Sequence, residues 1–191
     1  MKNLVIYVPK RYYMVRVIDI LENFQDYKVH IISLENLSLS QKNMTFFNAK
    51  GVISLLIHLI KLRKITFDVL LGCNVDNIYF QLMIKLLKFD EFHTFDEGII
   101  LLRDSKWQPG TLDGIYYIRE FDIQYQKRWF FLNKIIGIPI PWGLVFQLSH
   151  KHYTFFDPDK ISHPLSKTRE VTYVKRRDTA TKVERIFLGV N

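Results

Sequence analysis

Short apolar runs alternating with stretches of helical spacing fill the first hundred residues, and few folds accommodate that order. Leu4 to Val8 is a short apolar run, and Val15 to Leu21 has helical spacing. Lys28 to Ser33 (KVHIIS) is again apolar and β-branched. Val52 to Leu62 (VISLLIHLIKL) reads as an apolar helix, and Phe67 to Gly72 (FDVLLG) as a strand. Ile78 to Leu87 reads as helix and Glu91 to Phe95 (EFHTF) as the fourth strand. Strand and helix in turn at this spacing predict βαβ units and a parallel sheet covered on both faces. The expected fold is α/β, a Rossmann-like parallel sheet flanked by helices.

With 191 residues, 48% of them hydrophobic, the chain is long enough for one well-packed domain and short for two. Its net charge of +8 raises the prior for anionic partners such as acidic lipid, nucleic acid or a phosphorylated sugar carrier. Cys73 is the only cysteine, so an intrachain disulfide and a multi-thiolate metal site are excluded. The opening run Asn3 to Val8 is too short for a secretory signal and ends at Pro9. A cytoplasmic protein is expected.

Lys127 to Phe146 (KRWFFLNKIIGIPIPWGLVF) is dense in apolar residues, but Lys134, Pro139 and Pro141 interrupt it. A spanning helix needs about 20 mostly apolar residues, so the stretch reads as a buried helix followed by a loop. Arg128, Trp129, Phe130 and Lys134 also suit a subunit contact, giving a homodimer, or a peripheral patch on the inner membrane surface. From Asp157 to Thr181 the chain turns polar and proline-containing, as a linker does. Glu184 to Gly189 (ERIFLG) then reads as a fresh strand. The expected division is a Rossmann-like domain over 1–156, a linker over 157–183, and over 184–191 the first strand of a second domain.

Asp96-Glu97-Gly98 follows directly on the EFHTF strand. Open α/β sheets bind ligands beyond the carboxyl ends of their strands. Adjacent carboxylates diverge, so one of the two would face a cleft, and glycine allows a sharp turn and a close approach. A carboxylate there can take a proton from a sugar hydroxyl as general base. On spacing alone the same residues more commonly make a strand-ending turn with a helix-capping Asp. His152-Tyr153-Thr154 lies within KHYTFF, where a histidine beside aromatics is commonly a structural hydrogen-bonding group. His163-Pro164 reads as a loop dipeptide, and His30, His58, His93 and His150 show no metal-ligand spacing. YVPKRYY (Tyr7 to Tyr13) stands where a glycine-rich dinucleotide or nucleotide loop would follow the first strand. No nucleic-acid-reading motif accompanies the positive charge, so a nucleic-acid partner is not expected.

Three segments in order, HTFDEG (His93 to Gly98), HYTFF (His152 to Phe156) and ERIFLG (Glu184 to Gly189), resemble glycosyltransferase family 52. That family contains bacterial lipooligosaccharide and capsule sialyltransferases, with a TFDDG-like turn, an HYT segment and an apolar strand ending in glycine. The resemblance covers nearly the whole chain, and the ordered trio is more specific than FDEG alone. It implies that this chain is the N-terminal, acceptor-side domain of a two-domain GT-B-type glycosyltransferase. It further implies inverting transfer of sialic acid from CMP-sialic acid to a glycan acceptor on lipid or capsule, with no cofactor and no metal. By position Asp96 is the implied general base, Glu97 its neighbour and Gly98 the acceptor-site turn, with His152, Tyr153 and Thr154 in support. Ile99-Ile100-Leu101-Leu102 departs from the small or polar residues usual after that glycine, which bears on acceptor identity. His163-Pro164 precedes the ERIFLG strand and so does not match the family's donor-binding His-Pro. On this resemblance the nucleotide domain would begin where the chain ends, and a truncated product inactive alone is expected. A same-family α-glucosyltransferase and a non-catalytic Rossmann-like docking module are the competing readings. The module reading expects Asp96 to be buried in structural hydrogen bonds.

Overall fold

In the strand β1 (Lys2–Val8), residues Leu4 to Val8 are all fully buried, and successive side chains enter different cores. Leu4, Ile6 and Val8 pack with Met14, Val17 and Ile20, whereas Val5 and Tyr7 pack with Leu55, Leu59, Phe80 and Met83. Side chains alternate across a strand, so one that is apolar on both faces needs a helical layer on each. The first layer is α1 (Tyr13–Ile20), continued by a 3-10 turn over Leu21–Phe24. The opposite layer holds α2 (Val52–Leu62) and α3 (Ile78–Leu86). Asn77 starts α3 by accepting the Tyr79 amide at 2.9 Å, which satisfies one of the otherwise unpaired amides of a helix start.

The computed structural model describes residues 1–37, 43–73, 77–96, 110–112, 115–117, 149–156 and 170–175. Further strands are β2 (Tyr27–Ser33), β3 (Met44–Asn48), β4 (Thr66–Gly72) and β5 (Lys88–Phe95). A short antiparallel pair, β6 (Gly110–Leu112) and β7 (Ile115–Tyr117), stands apart from the main sheet. The chain then adds β8 (Lys151–Thr154) and β9 (Glu170–Tyr173). The main sheet is seven-stranded in the order β3-β2-β1-β4-β5-β8-β9, and all its pairings are parallel. The Rossmann-like α/β expectation is therefore met. The order reverses between β1 and β4, so the switch point lies at Val8 and Gly72, with the end of β5 one strand away.

Gly72 is fixed by a close approach. A Cβ added there would stand 2.4 Å from Cε2 of Phe80, whose ring stacks on Tyr7 with centroids 5.4 Å apart.

Three strands depart from the sequence reading. Met44–Asn48 is a strand on the sheet's edge, so the strand preceding Asp96 is the fifth and not the fourth. Lys151–Thr154, read only as an aromatic segment, pairs in parallel with β5. Glu170–Tyr173 falls inside the stretch assigned to a linker over 157–183, yet it pairs with β8 from Lys151↔Glu170 to Thr154↔Tyr173. The sheet thus runs past the expected boundary at 156. An outer strand half-open to solvent carries too little apolar alternation to declare itself. The expectations for 127–146, His163-Pro164 and 184–191 lie outside the described residues.

Candidate functional site

Pairing of β5 with β8 sets Thr94 opposite His152 and Phe95 opposite Tyr153, so Asp96 leaves β5 beside Thr154. Period two puts Thr94 and Asp96 on the same side as His152 and Thr154. Four polar side chains thereby converge at two neighbouring carboxyl ends, where open α/β sheets keep their ligand sites.

Asp96 is fully buried. Its Oδ1 lies 2.9 Å from His152 Nε2, and its Oδ2 accepts from the Thr154 hydroxyl at 2.9 Å and the Phe155 amide at 2.7 Å. The Asp96 amide donates to the Tyr153 carbonyl at 3.2 Å, and its own carbonyl accepts from Arg16 Nη1 at 2.5 Å. Arg16 comes from α1, and its guanidinium lies 5.8 Å from the Phe155 ring centre. Thr154 spends its hydrogen on Asp96 while its oxygen accepts the Phe156 amide at 3.1 Å.

Hydrogen-bond directions beyond His152 follow from one hydroxyl. Ser149 Oγ donates to the Lys151 carbonyl at 2.8 Å, so its 3.0 Å contact with Thr94 Oγ1 has Thr94 as donor. Each hydroxyl has one hydrogen, so Thr94 must accept from His152 Nδ1 across their 2.8 Å contact. Nε2 then faces Oδ1 across the 2.9 Å contact. An imidazole hydrogen-bonded to a carboxylate is a pairing that acid–base chemistry uses. A carboxylate offers about four acceptor positions. Three are engaged here, and the fourth is on Oδ1.

The structure brings together Asp96, His152 and Thr154, but Tyr153 faces the α1 side. There it packs against Phe24, and burial pushes its phenol well above the usual range, with Glu170 adding to the effect. Glu97 and Gly98 lie outside the described residues. Thr94, Ser149 and Arg16 are contributors the sequence reading missed. Thr94 was available from the two-residue period before Asp96, whereas nothing local to Ser149 or Arg16 marks them.

The other histidines are placed differently. His93 Nε2 bonds Glu91 Oε2 at 2.8 Å, yet burial outweighs that carboxylate and lowers the imidazole's pKa. His30 sits between Phe47 and Phe67 with both ring nitrogens unpartnered. Its pKa is lowered by burial first and by Lys28 second. Among the described residues no group of three or more His, Cys, Asp or Glu could hold a metal ion. No helix of the described residues is long and apolar enough to cross a membrane.

No protein-family model matches the chain, and no curated protein matches it. Among solved structures, the chain is similar to apo UGT2 of Phytolacca americana, at TM-score 0.43 and 8% identity over 96% of this chain. It is also similar to dTDP-glucose 4,6-dehydratase from Bacillus anthracis str. Ames in complex with NAD, at TM-score 0.36 and 14% identity over 81% of this chain. In both cases the match covers 54% of the other chain, so this chain spans about half the length of each. The strand order itself, and not these likenesses, defines the fold.

Proposed function

We propose that this chain is the acceptor-side portion of a glycosyltransferase of the sialyltransferase type. The substrates of the whole protein would be CMP-sialic acid and a lipooligosaccharide or capsular glycan. The observation that carries the reading is the hydrogen bonding of Asp96 to His152 and Thr154. It joins the HTFDEG and HYTFF segments, whose resemblance to glycosyltransferase family 52 rests on their sequence and order. In this reading the acceptor hydroxyl meets the open acceptor position on Oδ1. His152 and Thr154 hold the carboxylate, and the chain His152–Thr94–Ser149 relays the polarity of that grip. The displaced cytidine nucleotide leaves as the acceptor oxygen bonds the anomeric carbon, and the acceptor's proton passes to the Asp96–His152 pair.

Full burial of Asp96 with three donors on its carboxylate favours a second reading, the non-catalytic module, in which the network only joins β5 to β8. One experiment separates the two. The chain would be mixed with a separately expressed nucleotide-binding half and supplied with CMP-sialic acid and lipooligosaccharide or capsular oligosaccharide. The proposal expects transfer by the wild type, and its loss in Asp96→Asn with the fold retained. Undiminished transfer by Asp96→Asn would remove Asp96 as base, and no transfer to any such acceptor would remove the sialyl reading.

A further inference from the structure

Helix α2 buries one face and leaves an unusual one outside. Leu55, Leu59 and Leu62 enter the core, as their spacing requires. Ile53, Ile57 and Ile60 recur at the same helical spacing on the opposite side and are 77%, 50% and 67% exposed. Val52 at the helix start is 42% exposed. A solvent-facing helix side normally carries polar residues, and a lone exposed isoleucine would need no explanation. Three in register form a stripe.

Among the described residues, the charges on α2 and just before and after it have one sign. Between Glu35 and Asp68 the sequence contains no acidic residue, while Lys50, Lys61, Arg63 and Lys64 are exposed before, within and after α2. The neighbouring helix of the same layer, α3, carries the exposed Lys85 and no carboxylate. The opposite layer differs, since α1 and its 3-10 turn contain Asp19 and Glu22. Branched apolar side chains flanked only by cations match an interface with anionic headgroups above and acyl chains below. A water-facing surface or an ordinary protein partner has no comparable need for the absence of every carboxylate.

We propose that the outer face of α2 docks the protein on an anionic lipid membrane. Ile53, Ile57 and Ile60 enter the headgroup–acyl boundary, and Lys61, Arg63 and Lys64 pair with lipid phosphates. Attachment is interfacial, with the helix lying in the membrane plane. The proposal uses described residues outside 127–146, and it holds whatever sugar the site at Asp96 handles.

The test is cosedimentation of the full chain with phosphatidylcholine vesicles and with vesicles that also contain phosphatidylglycerol. The wild type is expected to sediment with the phosphatidylglycerol vesicles, and less at high ionic strength. The variant Ile53→Ser/Ile57→Ser/Ile60→Ser should weaken that binding more than roughly tenfold while leaving the circular dichroism spectrum unchanged. Lys61→Gln/Arg63→Gln/Lys64→Gln should remove the preference for phosphatidylglycerol, and it tests the proposal without touching an apolar residue. Wild-type binding by either variant would overturn the proposal. So would a wild type that ignores both vesicles and elutes as a dimer, with the isoleucine variant a monomer. That outcome would assign the stripe to a second copy of the chain.

Discussion

Replacing Asp96 by alanine and by asparagine separates the hydrogen bonds of this residue from its charge. Alanine strands three partners at once: the Phe155 amide, the Thr154 hydroxyl and His152 Nε2, all on buried residues. A buried polar group left unsatisfied costs about 1–3 kcal/mol. The Thr154 hydroxyl recovers part of its loss by turning to the Phe156 carbonyl at 3.3 Å. The expected destabilisation is therefore about 3–6 kcal/mol. Asparagine is nearly isosteric. Its oxygen at the Oδ2 position keeps the Thr154 and Phe155 bonds, and its amide at the Oδ1 position donates to His152 Nε2. That arrangement needs His152 to carry its hydrogen on Nδ1, as the donation from Ser149 to Lys151 dictates. What is lost is the charge-assisted share of the bonds, about 1–1.5 kcal/mol. Urea and thermal unfolding followed by circular dichroism should thus separate the two variants by about 2 kcal/mol or more. For a chain of this size each kcal/mol is worth about 2–4 °C in Tm, so the gap should be about 4–8 °C or more. Equal losses would refute the network's polarity. A loss below about 1 kcal/mol for alanine would refute the claim that Asp96 holds β5 to β8.

Two further perturbations test the core. Gly72→Ala drives a methyl into the Phe80 ring, which is itself fully buried, and should cost about 1–3 kcal/mol by urea denaturation; Gly72→Ala/Phe80→Leu should recover part of that loss. His30 has its pKa lowered in the folded state from 6.5, so the unfolded chain takes up the proton first as pH falls. Its share of stability is complete above about pH 6.5 and is lost as pH falls from there toward the folded pKa. His30→Leu should flatten the fall of the urea midpoint below about pH 6.5, and an unchanged slope would show that His30 is not the group responsible.

The parts of the fold legible in the sequence are those where burial is uniform. Strands β1, β2 and β4 are apolar on both faces because helices cover both, so the runs at Leu4, Val29 and Val69 stand out against their surroundings. β3 and β9 are the outer strands, and their side chains stay partly exposed, so no run announces them. β8 is hidden for the opposite reason. His152 and Thr154 are buried but polar, since both bond the Asp96 carboxylate. The site divides likewise. Asp96 was legible from its place after an apolar strand, while Ser149 and Arg16 act through pairings set by tertiary structure alone.

The grip of His152 and Thr154 on Asp96 also has a topological meaning. His152 and Asp96 are 56 residues apart in the sequence, yet β5 and β8 are neighbours in the sheet. The network is a clasp that closes this long separation. Loop-closure entropy grows slowly, so doubling such a loop costs only about 0.6 kcal/mol. The clasp is far stronger than that increment. Asp96, His152 and Thr154 therefore tie β5 to β8 across a separation that no local interaction bridges.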